Sequence, residues 1–385
     1  MKFLFVVTSY WAYGELTIAL QFAAQLSDEH DIVFWVPRKQ EESVRKKGFR
    51  TAPLYIKMPS LNKVILKDLE KSFQPDFILL SDFLNYSFCE KHYGLTMDDL
   101  ANFSGNIGAF DLYNLTEFPR AMDTYGFKNK RVVFNEDIIK FSIFSCPILP
   151  AVIDKSSNRR FSVSLTNNFH IRTEEEKILA KKKLGFPSDR NVILTTTAEW
   201  QSTYKKYDRA AKFVSEAECS YNKIIEALVE DNCVISIGSN RGEMVEGVRY
   251  LKSVDPEVFD LYVAATDLFI SRNIISTSFA NIILKGIKGV LLQNSIQDEN
   301  KYVCKMYPVG WFDFVSQIEK ENDYMQLFTQ TEMFQIEESV KMIKNMLESD
   351  FETDSNRKRL MNYHKNLKKL IKPEEIFRLM VPENI

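Results

Sequence analysis

Glycine is scarce in this sequence, with 13 residues among 385, and neither G-x-G-x-x-G nor G-x-x-x-x-G-K-[ST] occurs. Enzymes that depend on these glycine-rich phosphate loops are therefore disfavoured. The 4 histidines and 5 cysteines are scattered, and no two cysteines form a C-x-x-C pair. This pattern gives no support for a zinc site and fits reduced thiols in a cytoplasmic protein.

Net charge and long apolar runs are also limited. The chain has 50 basic and 52 acidic residues, a net charge of −2, which disfavours a nucleic-acid-binding protein. No apolar stretch approaches the ~20 residues that span a bilayer. The run from Lys2 to Thr8 is too short for a signal peptide and predicts a buried first strand. We expect a soluble, cytoplasmic protein, and a peripheral membrane contact stays open.

Short apolar runs alternate with helical patterns along the chain, which predicts parallel sheets with crossover helices. The strands are predicted at 3–8, 31–37, 75–82, 130–135, 191–197, 233–238, 249–253, 267–271 and 289–293. Helices are predicted at 16–26, 39–47, 61–73, from Thr173 to Gly185, and at 217–229, 258–265 and 276–285, with mostly helix after 333.

We therefore expect an α/β fold of two Rossmann-like domains facing each other across a cleft. Residues 1–165 form the first domain and residues 166–360 the second, while 361–385 form a C-terminal helix that packs back on the first. Such sheets bind ligands at the carboxyl ends of their strands, near the point where the strand order reverses.

The stretch Phe259–Gln293 carries the sharpest motif. A helix and the strand Asp267-Leu-Phe-Ile-Ser271 precede a loop and a helix that starts with Ser276-Thr277-Ser278. This order resembles the GT-B-fold glycosyltransferases, which include the UDP-N-acetylglucosamine transferase of lipid II synthesis and the antibiotic glycosyltransferases. The resemblance implies a metal-independent transferase that uses a UDP- or dTDP-linked sugar and needs no other cofactor, and it predicts the GT-B arrangement of the two domains.

The resemblance also implies a donor site in the second domain. Freed N–H groups and hydroxyls at strand ends and helix starts suit a diphosphate. Hydroxyls at the start of a helix can equally serve as N-caps, and Arg241, after the predicted strand at 233–238, can be a solvated surface residue. The implied donor-binding residues are Thr196, Thr197, Gly238, Ser239, Arg241, Arg272, Ser276, Thr277, Ser278, Asn281, Gln297 and Asp298.

The first domain would hold the acceptor. Glu15 stands where many members of the family have a histidine that acts as general base, so it is the first candidate base. Asp111, which follows Gly105 and Gly108, and Asp82, at the end of a predicted strand, are the second and third candidates, although an aspartate at a strand end also serves in turns. Aromatic rings of the first loop can stack on an acceptor or simply pack. The implied acceptor-binding residues are Tyr10, Trp11, Tyr13 and Gly14.

Three positions depart from the family pattern. Glu15 replaces histidine, Asn281 replaces a glutamate that holds ribose hydroxyls, and Lys288 replaces a proline. These departures leave open a catalytically reduced relative that binds a nucleotide sugar or a protein partner. A nucleotide-sugar 2-epimerase is a further alternative. No Asp-x-Asp occurs near a predicted strand end, which disfavours a metal-dependent transferase of the GT-A type. The donor sugar, acceptor and oligomeric state are left open.

Overall fold

The structure is a computed structural model of the chain. It describes residues 1–10, 13–82, 92–111, 120–122, 130–132, 137–146, 159–164, 170–197, 208–238, 244–274, 276–293, 323–349 and 354–380. The chain divides into two compact units. The N-terminal unit comprises Met1–Met122, Asn129–Asn167 and Leu367–Ile385, and the C-terminal unit comprises Asp123–Lys128 and Asn168–Asn366.

The elements are numbered here in chain order. The strands are β1 (Lys2–Val6), β2 (Asp31–Pro37), β3 (Arg50–Leu54), β4 (Phe77–Leu80), β5 (Asn106–Phe110), β6 (Arg120–Met122), β7 (Lys130–Val132), β8 (Ile139–Cys146), β9 (Arg160–Ser164), β10 (Asn191–Thr197), β11 (Asn232–Gly238), β12 (Arg249–Leu251), β13 (Leu268–Ser271), β14 (Lys288–Gln293) and β15 (Thr329–Glu332). The α-helices are α1 (Gly14–Ala23), α2 (Glu41–Arg45), α3 (Pro59–Asp68), α4 (Met97–Ala101), α5 (Glu174–Leu184), α6 (Asp208–Val229), α7 (Pro256–Ala265), α8 (Thr277–Leu284), α9 (Ile336–Glu348), α10 (Asp354–Lys368) and α11 (Pro373–Met380).

The N-terminal unit is built on a seven-stranded sheet in the order β3-β2-β1-β4-β5-β8-β9. Every pair in this sheet is parallel. The central strands are uninterrupted apolar runs because helices cover both faces of a sheet of this kind. The strand order reverses between β1 and β4, so this pair is the topological switch point of the unit.

The last helix, α11, completes the core of the N-terminal unit. The ring of Phe377, fully buried, lies 4.6 Å from that of Phe3 and 4.7 Å from that of Phe77, measured between centroids. At the same end of the sheet, Nε2 of His30 lies 2.9 Å from a carboxylate oxygen of Glu374. Helix α11 therefore packs against β1 through Phe377 and contacts the residue before β2 through Glu374.

The C-terminal unit has a six-stranded parallel sheet in the order β12-β11-β10-β13-β14-β15, with its switch point between β10 and β13. Its first helix, α5, begins with a capping box between Thr173 and Glu176 and ends at Gly185, whose φ of 73° is left-handed. These are the start and stop signals that the sequence displays there.

The α/β fold with two Rossmann-like sheets is confirmed. The predicted strands at 31–37 and 191–197 have their predicted bounds, and the predicted helix at 217–229 begins earlier, at Asp208. The predicted helix at 39–47 is a 3₁₀ turn followed by the short α2. The described residues also contain six strands that the sequence patterns did not predict: β3, β5, β6, β8, β9 and β15.

Candidate functional site

The carboxyl edge of the C-terminal sheet, where the C-terminal ends of its strands meet, brings together several of the predicted donor residues. Thr197 ends β10, Gly238 ends β11, and Arg272 follows β13 directly. Because β10 and β13 are the strands of the switch point, Thr197 and Arg272 lie where ligands bind in sheets of this order.

Arg272 is the charged residue at this switch point, and it is only 6% exposed. Its Nη2 donates a hydrogen bond to Thr197 Oγ1 at 3.1 Å. The carbon of its guanidinium lies 4.0 Å from the centroid of the Tyr221 ring, which is a close cation–π contact. Thus a positive group is held in place on β10 and α6 at the ligand edge of the sheet.

Tyr221 is in turn fixed by β10. Its hydroxyl donates to Thr195 Oγ1 at 2.9 Å, and both residues are buried. Burial raises the pKa of the Tyr221 hydroxyl, so this group remains a protonated donor at neutral pH. The sequence reasoning missed Tyr221 and Thr195 as members of the site, because a tyrosine in the middle of a helix carries no motif.

The side chains of the last three residues of β10 alternate between the two faces of the sheet. Thr195 and Thr197 are buried, at 1% and 6% exposure, while Thr196 is only partly buried. Of the two predicted threonines, Thr197 therefore shares a face with Thr195 and contacts Arg272, and Thr196 points to the other face.

Gly238 approaches β10 closely. It has a φ of +123°, and a Cβ built at this position would lie 2.0 Å from the carbonyl oxygen of Thr197. Both the backbone conformation and the lack of space require glycine here. The end of β11 is thus packed against the end of β10 by backbone alone.

The start of α8 lies one short loop after Arg272. Ser276 is the N-cap, and its Oγ accepts a hydrogen bond from the backbone N–H of Phe279 at 3.2 Å. Thr277 and Ser278 occupy the first turn, and all three residues are partly exposed. Ser276 therefore does cap the helix, as one of the two interpretations predicted, and the first-turn N–H groups of α8 give this end a partial positive charge.

The residues on either side of Arg272 are hydrogen-bonded to each other. Ser271 Oγ accepts from the N–H of Asn273 at 3.0 Å and donates to the Asn273 carbonyl at 2.9 Å. Asn281 lies one turn into α8 and is partly buried. Three residues, 273–275, separate Arg272 from Ser276, the N-cap of α8.

Lys288 has a structural partner that explains its departure from the family pattern. Its Nζ donates to the carbonyl oxygens of Met346 and Ser349, each at 2.6 Å. These carbonyls lie at the C-terminus of α9, where a cation is stabilised by the helix dipole. The lysine therefore ties α9 to the start of β14.

The carboxyl edge of the N-terminal sheet carries the predicted acidic residues. Continuing the β4–β5 register two residues past the pair of Leu80 and Ala109 sets Asp82 beside Asp111. Asp111 is fully buried and Asp82 is 3% exposed. Adjacent parallel strands are about 4.8 Å apart, so we expect Asp82 and Asp111 to lie near each other.

Glu15 lies in the first turn of α1, which follows the loop after β1, and it is 7% exposed. A carboxylate at this place is stabilised by the N-terminal end of the helix dipole. Of the predicted acceptor residues, Gly14 begins α1 and Tyr13 is its N-cap, with 49% exposure. The Tyr10 ring lies 5.3 Å from the ring of His92.

Several predicted residues lie outside the described part of the chain: Trp11, Ser239, Arg241, Gln297 and Asp298. Among the described residues, no group of three or more His, Cys, Asp or Glu side chains is placed to hold a metal ion. No described helix is both long and apolar enough to cross a membrane.

The fold defines the class. Solved structures similar to this chain include the spinosyn forosaminyltransferase SpnP, with a TM-score of 0.54, 12% identity, and coverage of 99% of this chain and 98% of that one. Anabaena HepE in complex with UDP has a TM-score of 0.55 and 11% identity, over 99% and 98%. The spinosyn rhamnosyltransferase SpnG complexed with thymidine diphosphate has a TM-score of 0.51 and 11% identity, with coverage of 99% of this chain and 100% of that one. The chain therefore has a divergent fold of the GT-B glycosyltransferase type, as the resemblance predicted.

Within that class, the chain belongs to the family described as "Family of unknown function (DUF6365)", whose model matches residues 22–304 and 298–383. No curated protein matches the sequence.

Proposed function

We propose that this protein transfers a sugar from a nucleotide-diphosphate donor to a hydroxyl group of an acceptor, and that its C-terminal unit binds the donor. The observation that carries the proposal is the buried Arg272 at the switch point of β10 and β13, four residues before the N-cap of α8. A guanidinium and a helix N-terminus are two groups that bind phosphate oxygens well. Solved structures of similar fold contain UDP and thymidine diphosphate, which supports these nucleotides as the donor class.

In the proposed reaction, the N-terminal unit binds the acceptor and supplies the base. A carboxylate, Glu15 first and Asp111 second, takes the proton of the acceptor hydroxyl as its oxygen forms a bond to the anomeric carbon of the sugar. The bond between that carbon and the diphosphate oxygen breaks, and the electron pair leaves with the diphosphate. Arg272 and the first-turn N–H groups of α8 stabilise the negative charge that develops there.

The other predicted donor residues take supporting roles in this proposal. Thr277 and Ser278 offer hydroxyls next to the diphosphate, and Asn281 binds a ribose hydroxyl through its amide, which donates and accepts without charge. Thr196, Ser239, Arg241, Gln297 and Asp298 remain predicted contacts of the nucleotide or the sugar. Tyr10, Trp11, Tyr13 and Gly14 remain predicted contacts of the acceptor.

Calorimetric titration with UDP, dTDP, GDP and uridine tests the donor site. We expect UDP or dTDP to bind, and Arg272→Gln to weaken this binding by roughly 10- to 100-fold, as for a lost hydrogen bond to a charged group. Arg249→Gln is the matched control. It removes the same charge from the same unit, where the Arg249 guanidinium lies over Tyr262 at 5.7 Å. Absence of binding by every nucleoside diphosphate, or full affinity in Arg272→Gln, would contradict the proposal.

The departures at Glu15 and Asn281 favour one second candidate, a relative that binds the nucleotide sugar without transferring it. Incubation with UDP- and dTDP-sugars separates the candidates, because transfer to acceptor or water releases the free nucleoside diphosphate. Release supports the transferase, and tight binding without release supports the reduced relative. A donor whose sugar is epimerised at C2 would instead indicate a 2-epimerase.

A further inference from the structure

Tyr221 on α6 makes a cation–π contact with Arg272. Its ring, 8% exposed, lies 4.0 Å below the guanidinium carbon, and its hydroxyl donates to Thr195 Oγ1 at 2.9 Å. Three elements therefore contribute to one cluster: α6 through Tyr221, β10 through Thr195 and Thr197, and β13 through Arg272. None of these contacts belongs to the motif that predicted the donor site.

The two contacts of Arg272 fix the guanidinium in different ways. The Tyr221 ring fixes the position of the group, because a cation is attracted to the face of an aromatic ring and the guanidinium carbon lies over that face, 4.0 Å from its centroid. The hydrogen bond from Nη2 to Thr197 Oγ1 sets its rotation within the plane. Arginine has a long side chain with much rotamer freedom, and a bidentate contact with phosphate needs the planar fork held in one direction.

The ring is itself prevented from moving away. Its hydroxyl is bonded to Thr195, two residues before Thr197 on the same strand and on the same face. The Tyr221 ring and the Arg272 partner on β10 are therefore positioned by one strand. A ligand that binds Arg272 meets a group whose conformational entropy has already been lost on folding, and this increases affinity.

We infer that Tyr221 is a positioning residue for the donor diphosphate, which it serves by orienting the guanidinium of Arg272 toward the phosphate oxygens. The inference rests on the proposed function, since it assumes that a nucleoside diphosphate binds at this edge. It adds a specificity: the affinity that depends on Tyr221 belongs to the diphosphate and not to the nucleoside.

The test measures dissociation constants for UDP, dTDP, and the corresponding nucleosides with wild type, Tyr221→Phe and Tyr221→Leu. Tyr221→Leu removes the π face, and we expect the better-bound diphosphate to lose roughly tenfold in affinity. We expect its nucleoside to bind within about twofold of wild type. Tyr221→Phe keeps the ring and should retain most of the affinity. Tyr262→Leu, at another buried tyrosine that carries an arginine, is the control and should leave both affinities unchanged.

Arg272→Lys provides a second route if Tyr221→Leu does not fold. It keeps the charge but removes the planar fork, so it should lose the diphosphate affinity that the stack provides. Adding Tyr221→Phe to Arg272→Lys should cause little further loss, because phenylalanine keeps the ring face. Thermal unfolding of each variant verifies that it is folded.

The outcomes are distinguishable. If wild type binds no nucleoside diphosphate, the proposed function fails and takes this inference with it. If wild type binds and the folded Tyr221→Leu variant keeps its diphosphate affinity, the proposed function stands and the role of Tyr221 is wrong. An equal loss for nucleoside and diphosphate also overturns the inference, because a general packing defect produces that result.

Discussion

The two sheets of this protein have equivalent switch points with opposite charge. In the N-terminal unit, Val6 of β1 is paired with Leu80 of β4, and Asp82 lies two residues further on. In the C-terminal unit, Thr195 of β10 is paired with Ile270 of β13, and the residue two positions further on is Arg272. Both charged residues follow a serine at the end of a buried strand.

The two switch points suit different ligands. A buried cation beside a helix start suits an anionic ligand such as a diphosphate. Buried carboxylates suit hydroxyl groups and can accept a proton. The contrast is the reason to place the nucleotide in the C-terminal unit and the acceptor in the N-terminal unit under the proposed function.

The largest expected effect is on the rate of transfer. Glu15→Gln removes the first candidate base. We expect the rate at which the nucleoside diphosphate is released from the sugar donor to fall by about 10²- to 10⁴-fold. The dissociation constant of the nucleoside diphosphate should be unchanged, because the acidic residues belong to the other unit. Glu42→Gln, at an exposed carboxylate of the same unit, is the matched control and should leave the rate unchanged. A larger loss in Asp111→Asn would assign the base to Asp111 instead.

The close backbone packing at the carboxyl edge of the C-terminal sheet predicts a large loss of stability when Gly238 is replaced. Gly238→Ala places a Cβ 2.0 Å from the Thr197 carbonyl oxygen at a φ of +123°. Overpacking and backbone strain together should lower the free energy of unfolding by about 3 kcal/mol or more. Gly185→Ala is the control, since Gly185 has a φ of +73° with no atom within 4 Å of the added Cβ. It should cost only about 1 kcal/mol. Equal losses in urea titrations would contradict the packing.

The amino edge of the C-terminal sheet differs from its carboxyl edge, because a buried charge there is paired with a charge of the protein itself. Asp267 lies 2.6 Å from Lys181 Nζ and accepts from the N–H of Val192 at 2.8 Å. Burial raises the pKa of Asp267, but the hydrogen bonds from Lys181 and Val192 outweigh it, and the pKa is lowered overall. The carboxylate therefore stabilises the fold above its unfolded pKa of about 3.9 and loses this effect as pH falls through its folded pKa.

Asp267→Asn should therefore lower the free energy of unfolding at pH 7 by about 2 kcal/mol and reduce its decline below pH ~4. The measurement is denaturant unfolding from pH 2 to 7. Asp260→Asn, at an exposed partner of Lys285, is the control and should keep the wild-type pH dependence. If the free energy of unfolding of Asp267→Asn fell with pH below ~4 as steeply as that of wild type, this carboxylate would not be the cause of the decline.

The smallest effect is expected at the N-cap of α8, where a role in helix stability can be distinguished from a role in ligand binding. Ser276→Ala removes the hydrogen bond to the N–H of Phe279 and should cost about 1 kcal/mol of stability. It should also weaken nucleoside diphosphate binding slightly, by about two- to threefold, because the helix start loses order. Thr173→Ala, at the N-cap of α5, should match the stability loss without changing the binding. Equal binding in both variants would remove α8 from the site.

The fold was predictable where strands are buried on both faces. Strands β1, β10 and β13 are short apolar runs between polar segments, and the sequence locates each of them. Strand β3, Arg-Thr-Ala-Pro-Leu, lies at an edge of its sheet, and β15, Thr-Gln-Thr-Glu, lies at an edge of the other. Edge strands are only partly covered, so their polar residues and the proline of β3 give no apolar signal.

Site residues were predictable only where they stand at the end of an apolar strand or at the start of a helix, which the sequence pattern locates. Arg272, Thr197 and Gly238 follow apolar strands, and the sequence placed them at the carboxyl edge. Tyr221 lies in the middle of α6 and reaches β10 through a contact between residues 26 positions apart. Contacts of this kind depend on how a helix packs on a sheet, which no local pattern encodes.

The most direct test of the account is hydrogen exchange measured by mass spectrometry with and without a saturating nucleoside diphosphate. We expect slower exchange in the backbone of 191–197 and 268–284, which contain the ends of β10 and β13 and the start of α8. Exchange at 77–82 and 106–111 in the N-terminal unit should be unchanged by the nucleotide alone. Protection confined to the N-terminal unit, with measurable binding, would contradict the assignment of the donor to the Arg272 edge.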